Sequence, residues 1–190
     1  MFDPDDLTIG QKAVLLTLAK LPTGHRTDRR YFEKILFLLV KSQPKTLEDI
    51  EETFEGYKMG PYSEFVDELN HNLEDFGLAK RMELTSTGRA LAPKLEADPS
   101  LAPIVESLNE TLRVTRQFDV NDLLYFVYRL YPEFAQESEF PEEARSRHLE
   151  HFTVPVGTLP EGGSVTITSD KGSTLNVRRT NGKLVLTQVD

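Results

Sequence analysis

The side chains that could do chemistry are few. Four histidines, His25, His71, His148 and His151, are the groups that ordinarily titrate near neutral pH, and the 190-residue chain has no cysteine. His148 and His151 stand three apart on an expected helix with Glu150 between them, close enough to share a metal ion. The run R-H-L-E-H, however, matches neither H-E-x-x-H nor H-x-x-E-H, and no third ligand is evident, so a solvated helix face is the expectation. His71 reads the same way, on the acidic face of a later helix. A serine nucleophile would need G-x-S-x-G or S-x-x-K, and phosphate binding would need a P-loop or G-x-G-x-x-G; none of these occurs. Gly162-Gly163 reads as a turn. Carboxylate pairs are abundant, but in an acidic chain they are poor evidence for acid and base catalysis. The sequence therefore predicts no catalytic residue, no metal, no cofactor and no enzyme.

Composition narrows the classes further. The absence of cysteine removes disulfides, thiolate zinc sites, iron-sulfur clusters and thiol nucleophiles. Apolar residues make up 38% of the chain, enough for a sizeable core at this length. No apolar run reaches the roughly 18 residues of a membrane span. The opening M-F-D-P-D-D-L-T-I-G has acids where a secretory leader has bases, so a cytoplasmic protein without a membrane partner is expected.

Charge is distributed unevenly. The net charge is −9. Between Lys20 and Lys45 lie seven bases and two acids, and between Thr46 and Phe76 ten acids and one base, Lys58. Arg26, Arg29 and Arg30, with Arg178 and Arg179 of the tail, are the candidate phosphate contacts if the protein binds nucleic acid. The helix expected to precede a wing carries Glu64, Asp67, Glu68, Glu74 and Asp75, which DNA would repel. Adjacent faces of opposite sign suit a protein partner better.

Apolar periodicity supplies the elements that would position these residues. A first helix spans Leu7 to Leu21, with Asp5 or Asp6 to cap it. A second follows Asp28 and is apolar nearly all round from Tyr31 to Val40, so it should be central and buried. Thr46 and Asp49 suggest a capping box for a short acidic helix to about Phe54, followed by a linking segment E-G-Y-K-M-G. A fourth helix opens near Pro61 or Ser63, carries the stripe Tyr62, Phe65, Val66, Leu69, Leu73 and Phe76, and ends at Gly77. Leu78 to Leu84 reads as one short strand, and Ser86 to Leu95 as a helix. Further helices are expected over residues 100–117, from Asp119 to Leu130, and from about Pro141 to His151. From Phe152 the runs F-T-V-P-V, S-V-T-I-T, S-T-L-N-V and K-L-V-L-T are β-type, with Asn181-Gly182 as a hairpin signal. So short a β tail must dock on the helices or pair with a second chain.

The runs K-I-L-F-L-L, G-Y-K-M-G-P-Y-S-E-F-V-D-E-L, L-E-D-F-G-L-A and L-T-S-T-G-R-A occur in that order between residues 28 and 95. This segment resembles the SocA/YwgA-type antitoxin family, the Panacea domain, whose members show K-[IL]-[LI]-[YF], Y-G-P-[VY]-S, G-[LI] and L-T-x-x-G-[RK] motifs. The Y-P-E-F run at Tyr131 to Phe134 is similar to the helical extensions of such proteins, and Met59 departs from the pattern, an aromatic residue being usual before the Gly-Pro. The resemblance implies a non-enzymatic module that neutralises or escorts a protein partner such as a toxin. Gly60 would permit a sharp turn, Pro61 would start the fourth helix and Ser63 would cap it, leaving Tyr57, Lys58 and Tyr62 as a contact cluster. The tail, with L-P-E-G-G-S-V-T-I-T and N-G-K-L-V-L-T-Q-V, is similar to the second half of AbrB/MazE-type antitoxins, which implies a homodimer.

The expected fold is mainly α with a small β part: a winged-helix-like helical core, a helical extension and C-terminal antiparallel β-hairpins. The expected layout is a Panacea-type domain at 1–98, the extension at 99–151 and the β tail at 152–190. The expected function is regulatory protein binding of an antitoxin-like kind, and a winged-helix DNA-binding regulator is the alternative.

Overall fold

The computed structural model describes residues 4–22, 28–115, 118–136, 138–139, 160–168, 174–181 and 183–189. His25, Arg26, His148, His151, the expected helix at Pro141 to His151 and the F-T-V-P-V run lie outside them. In chain order the helices are α1 (Ile9–Lys20), α2 (Arg29–Ser42), α3 (Glu48–Glu51), α4 (Glu64–Asp75), α5 (Ser86–Glu96), α6 (Ala102–Thr115) and α7 (Val120–Leu130). The strands are β1 (Glu55–Tyr57), β2 (Gly60–Tyr62), β3 (Ala79–Lys80), β4 (Glu83–Leu84), β5 (Ser164–Thr168), β6 (Thr174–Thr180) and β7 (Lys183–Val189). The protein is mainly α, with small antiparallel pieces.

The chain divides into two compact units, one of residues 1–54 and 63–109, the other of residues 55–62 and 110–190. In the first, α1 packs on α2, α4, α5 and β4. It is buried on nearly every side, and Leu15 and Leu16 are fully enclosed. Its cap is Thr8, paired with Gln11 in a capping box, and not the expected Asp5 or Asp6. The Thr8 hydroxyl accepts from the Gln11 N–H and the Gln11 side-chain carbonyl from the Thr8 N–H, so the box satisfies two backbone donors that would otherwise be left to water. Asp28 caps α2 as expected, accepting from the N–H groups of Arg30 and Tyr31. In chain order α2 and α3 are followed by the β1–β2 hairpin, α4 and the β3–β4 hairpin.

Two local expectations are corrected. Thr46 does not cap α3, whose N-cap position is Leu47 and which has no side-chain cap. The segment Leu78 to Leu84 is a two-stranded hairpin and not one strand, because Arg81 and Met82 reverse the chain at φ 49° and 68°. Upstream of this turn, Gly77 at φ 69° ends α4, with the Leu78 N–H on the Leu73 carbonyl at 2.8 Å and its own N–H on that of Glu74. Downstream, the α5 backbone comes so close to the hairpin that a Cβ on Gly88 would lie 2.1 Å from the Leu78 carbonyl oxygen. Only glycine fits there.

The α2 segment from Tyr31 to Val40 is buried throughout, as expected of a helix apolar on all sides, and it carries Glu33 and Lys34 inside with it. The Lys34 ammonium lies 3.3 Å from Glu33, whose carboxylate also accepts from Arg29 Nε at 2.8 Å. Desolvation by burial, opposed by the Glu33 charge, lowers the Lys34 pKa from the ordinary lysine value.

In the second unit, α7 starts at Asp119, which forms a capping box with Asp122. Phe118 and Phe126 meet edge to face with centroids 5.5 Å apart. The β5–β6–β7 meander is antiparallel, with Val177 facing Val165 and Leu186 in register. Asn181, at φ 54°, turns β6 into β7 as the Asn-Gly signal indicated.

A buried base with a lowered pKa binds fewer protons than the unfolded chain as pH rises toward the ordinary lysine value of about 10.4, so folding gains stability across that window. Urea denaturation over a pH series should show the wild type gaining stability relative to Lys34→Met as pH rises into this range. Parallel pH profiles would contradict the burial of a charged Lys34.

Candidate functional site

The segment expected to link α3 and α4 forms an antiparallel hairpin instead. Glu55 pairs with Tyr62, Gly56 with Pro61 and Tyr57 with Gly60. Pro61 is therefore a buried strand residue and not the first residue of a helix. Three-residue strands are too short to show a two-residue period, and a proline just before a capping serine reads as a helix start. Gly60, at φ 94°, makes the turn that the sequence assigned to it.

Ser63 closes the base of this hairpin. Its hydroxyl accepts from the Val66 N–H at 3.2 Å, capping α4, and lies 2.7 Å from the Thr53 hydroxyl. Ser63 itself is 2% exposed, so its role here is structural. The two residues bracketing the hairpin are thus tied to each other inside the first unit, while the hairpin itself belongs to the second.

Within that second unit the hairpin is well supported. The 3-10 turn Pro132–Ala135 packs against both strands, and α7 packs against β2. Met59 lies against the buried cluster of Leu124, Tyr128 and Ala135. The Glu139 N–H donates to the Lys58 carbonyl at 3.0 Å, and the Glu139 carboxylate holds the Lys58 ammonium at 2.6 Å. That hydrogen bond, reinforced by the carboxylate's charge, raises the Lys58 pKa above the ordinary lysine value.

On this support stands an aromatic pair. Tyr57 and Tyr62 have ring centroids 5.5 Å apart, tilted by 39°. Tyr62 is half-buried, but Tyr57 is 53% exposed, the most open of the large apolar side chains among the described residues. The candidate contact residues thus fall into two groups. Gly60, Pro61 and Ser63 shape the hairpin and its junction, whereas Tyr57, Lys58 and the edge of Tyr62 face outward. Met59 and Glu139, which hold the hairpin, were not singled out as site residues. The 81-residue separation of Lys58 and Glu139 leaves no local trace in the sequence.

The candidate phosphate contacts are arranged less favourably. Arg29 donates to Glu33 and is ion-paired with Asp67 of α4. Arg30 is half-exposed, with Nε 3.7 Å from Asp28. Arg178 and Arg179 are neighbours on β6, so they project to opposite faces of the sheet. On α4, Glu64, Glu68, His71 and Asp75 are all exposed. Among the described residues no cluster of three or more metal-ligating side chains occurs, and no helix is long and apolar enough to cross a membrane.

No protein-family model matches the chain, and no curated protein or solved structure gives a significant match.

Met59→Ala should cost about 2 kcal/mol of stability by removing the hairpin's apolar anchor. Tyr57→Ala, losing a surface aromatic contact, should cost under about 1 kcal/mol. Urea denaturation followed by circular dichroism compares them, and equal losses would contradict the anchoring role of Met59.

Proposed function

We propose that this protein is a non-enzymatic regulatory module of the antitoxin-like, Panacea-type kind, which neutralises or escorts a protein partner through the tip of the β1–β2 hairpin. The supporting observation is the exposed Tyr57 ring beside Lys58, on a hairpin anchored by Met59 and clamped by Glu139. A rigid aromatic loses little conformational entropy when a partner covers it, and aromatic residues on a fixed scaffold are the usual anchors of protein interfaces. The neighbouring cation would favour a partner with an acidic or carbonyl-rich rim.

The winged-helix DNA-binding reading has less support. The helix that would enter the major groove presents acids, and Arg29 is engaged by two carboxylates.

Affinity capture from the native host, with nuclease added and mass spectrometric detection, tests the proposal. Wild-type protein should recover one dominant protein partner. Tyr57→Ala and Lys58→Glu should lose it, Tyr57→Ala by about 30-fold or more in Kd, equivalent to about 2 kcal/mol. Equal recovery by all three proteins, or recovery of nucleic acid alone from a nuclease-free control, would overturn it.

A further inference from the structure

Within the first unit, α1, the β3–β4 hairpin and α5 line a half-open cavity of about 350 Å³. That volume lies at the lower end of the range of small-molecule sites, about 300 to 1,000 Å³. Its buried lining is apolar, formed by Leu18, Leu84 and Ala92.

Two breaches of local preference meet at its rim. Arg81 and Met82 reverse the hairpin with positive φ at both positions, where glycine or asparagine would be the unstrained choice, and Met82 lines the cavity. Pro93 stands inside α5, also lining the cavity, and a proline has no N–H to give the Arg89 carbonyl one turn before it. Departures of this kind are retained where the surrounding structure enforces them, and they concentrate at sites of binding.

The rim's charges define the ligand. Glu96 is already paired with Lys20 at 3.0 Å. Arg89 and Glu83 are both exposed at the rim, one cation and one anion above an apolar floor. Arg89 belongs to the L-T-S-T-G-R-A run, which the hairpin-based reading of function does not use.

We propose that this cavity binds a small zwitterion with an apolar body, a free apolar amino acid, its carboxylate on Arg89, its ammonium on Glu83 and its side chain over Leu18, Leu84 and Ala92. The planar guanidinium matches a carboxylate in two-point geometry, and a lining that offers both a cation and an anion favours a zwitterion over a simple acid or amine. This site is independent of the β1–β2 hairpin and stands or falls separately from the function proposed for it.

Calorimetric titration of the full chain with leucine, leucinamide, N-acetylleucine and glycine tests the proposal. Leucine should bind saturably, and leucinamide, N-acetylleucine and glycine should each bind at least about 10-fold more weakly, since each lacks one element of recognition. Arg89→Gln should abolish the preference for leucine over leucinamide, and Glu83→Gln the preference for leucine over N-acetylleucine. The ligand comparison needs no variant, and melting curves without ligand check that both variants fold. Absence of saturable leucine binding, or preferences unchanged in both variants, would overturn the proposal.

Discussion

Ten consecutive residues of α2, Tyr31 to Val40, are buried, and two of them, Glu33 and Lys34, are charged. A charge withdrawn from water must be paired or neutralised, and this constraint governs much of the first unit. Glu33 is shared between Lys34 and Arg29, and Arg29 reaches on to Asp67 of α4. Bases that look, in the sequence, like a patch waiting for phosphate are therefore partly committed to α2 and α4. One α4 acid serves the same end, since Asp67 is a partner of Arg29 as well as part of an acidic surface.

A second constraint places the candidate site. Thr53 and Ser63 hold each other inside the first unit, where the chain leaves it and returns to it. Met59 then fixes one side of the hairpin against an apolar cluster, and Glu139 fixes its tip. What is left facing water is a ring and an ammonium group held in register by backbone pairing. That is a surface suited to recognition, with an exposed ring on a backbone-paired hairpin and an ammonium group held by Glu139.

Much of the fold was legible because the helices are long enough to display their period. The stripe Val66, Leu69 and Leu73 is buried as the spacing required, Phe76 is exposed at its end, and Asp28, Ser63 and Asp119 cap where such residues should. The two small hairpins were not legible. The β1–β2 strands have three residues each and the β3–β4 strands two, too few for alternation to register, and the second hairpin turns on Arg81 and Met82 without a glycine or asparagine. The candidate site was legible in its residue types, through Tyr57, Lys58 and Tyr62, but not in its support, because Met59 and Lys58 are held by residues 65 or more positions away. Chain folding supplies such contacts, and no local spacing announces them.

Hydrogen exchange of the full chain, read by mass spectrometry with and without the captured partner, tests the account most directly. Added protection concentrated at residues 55–62 is the predicted result. Protection on α4 or on the β5–β7 sheet, with residues 55–62 exchanging as freely as in the isolated protein, would contradict it.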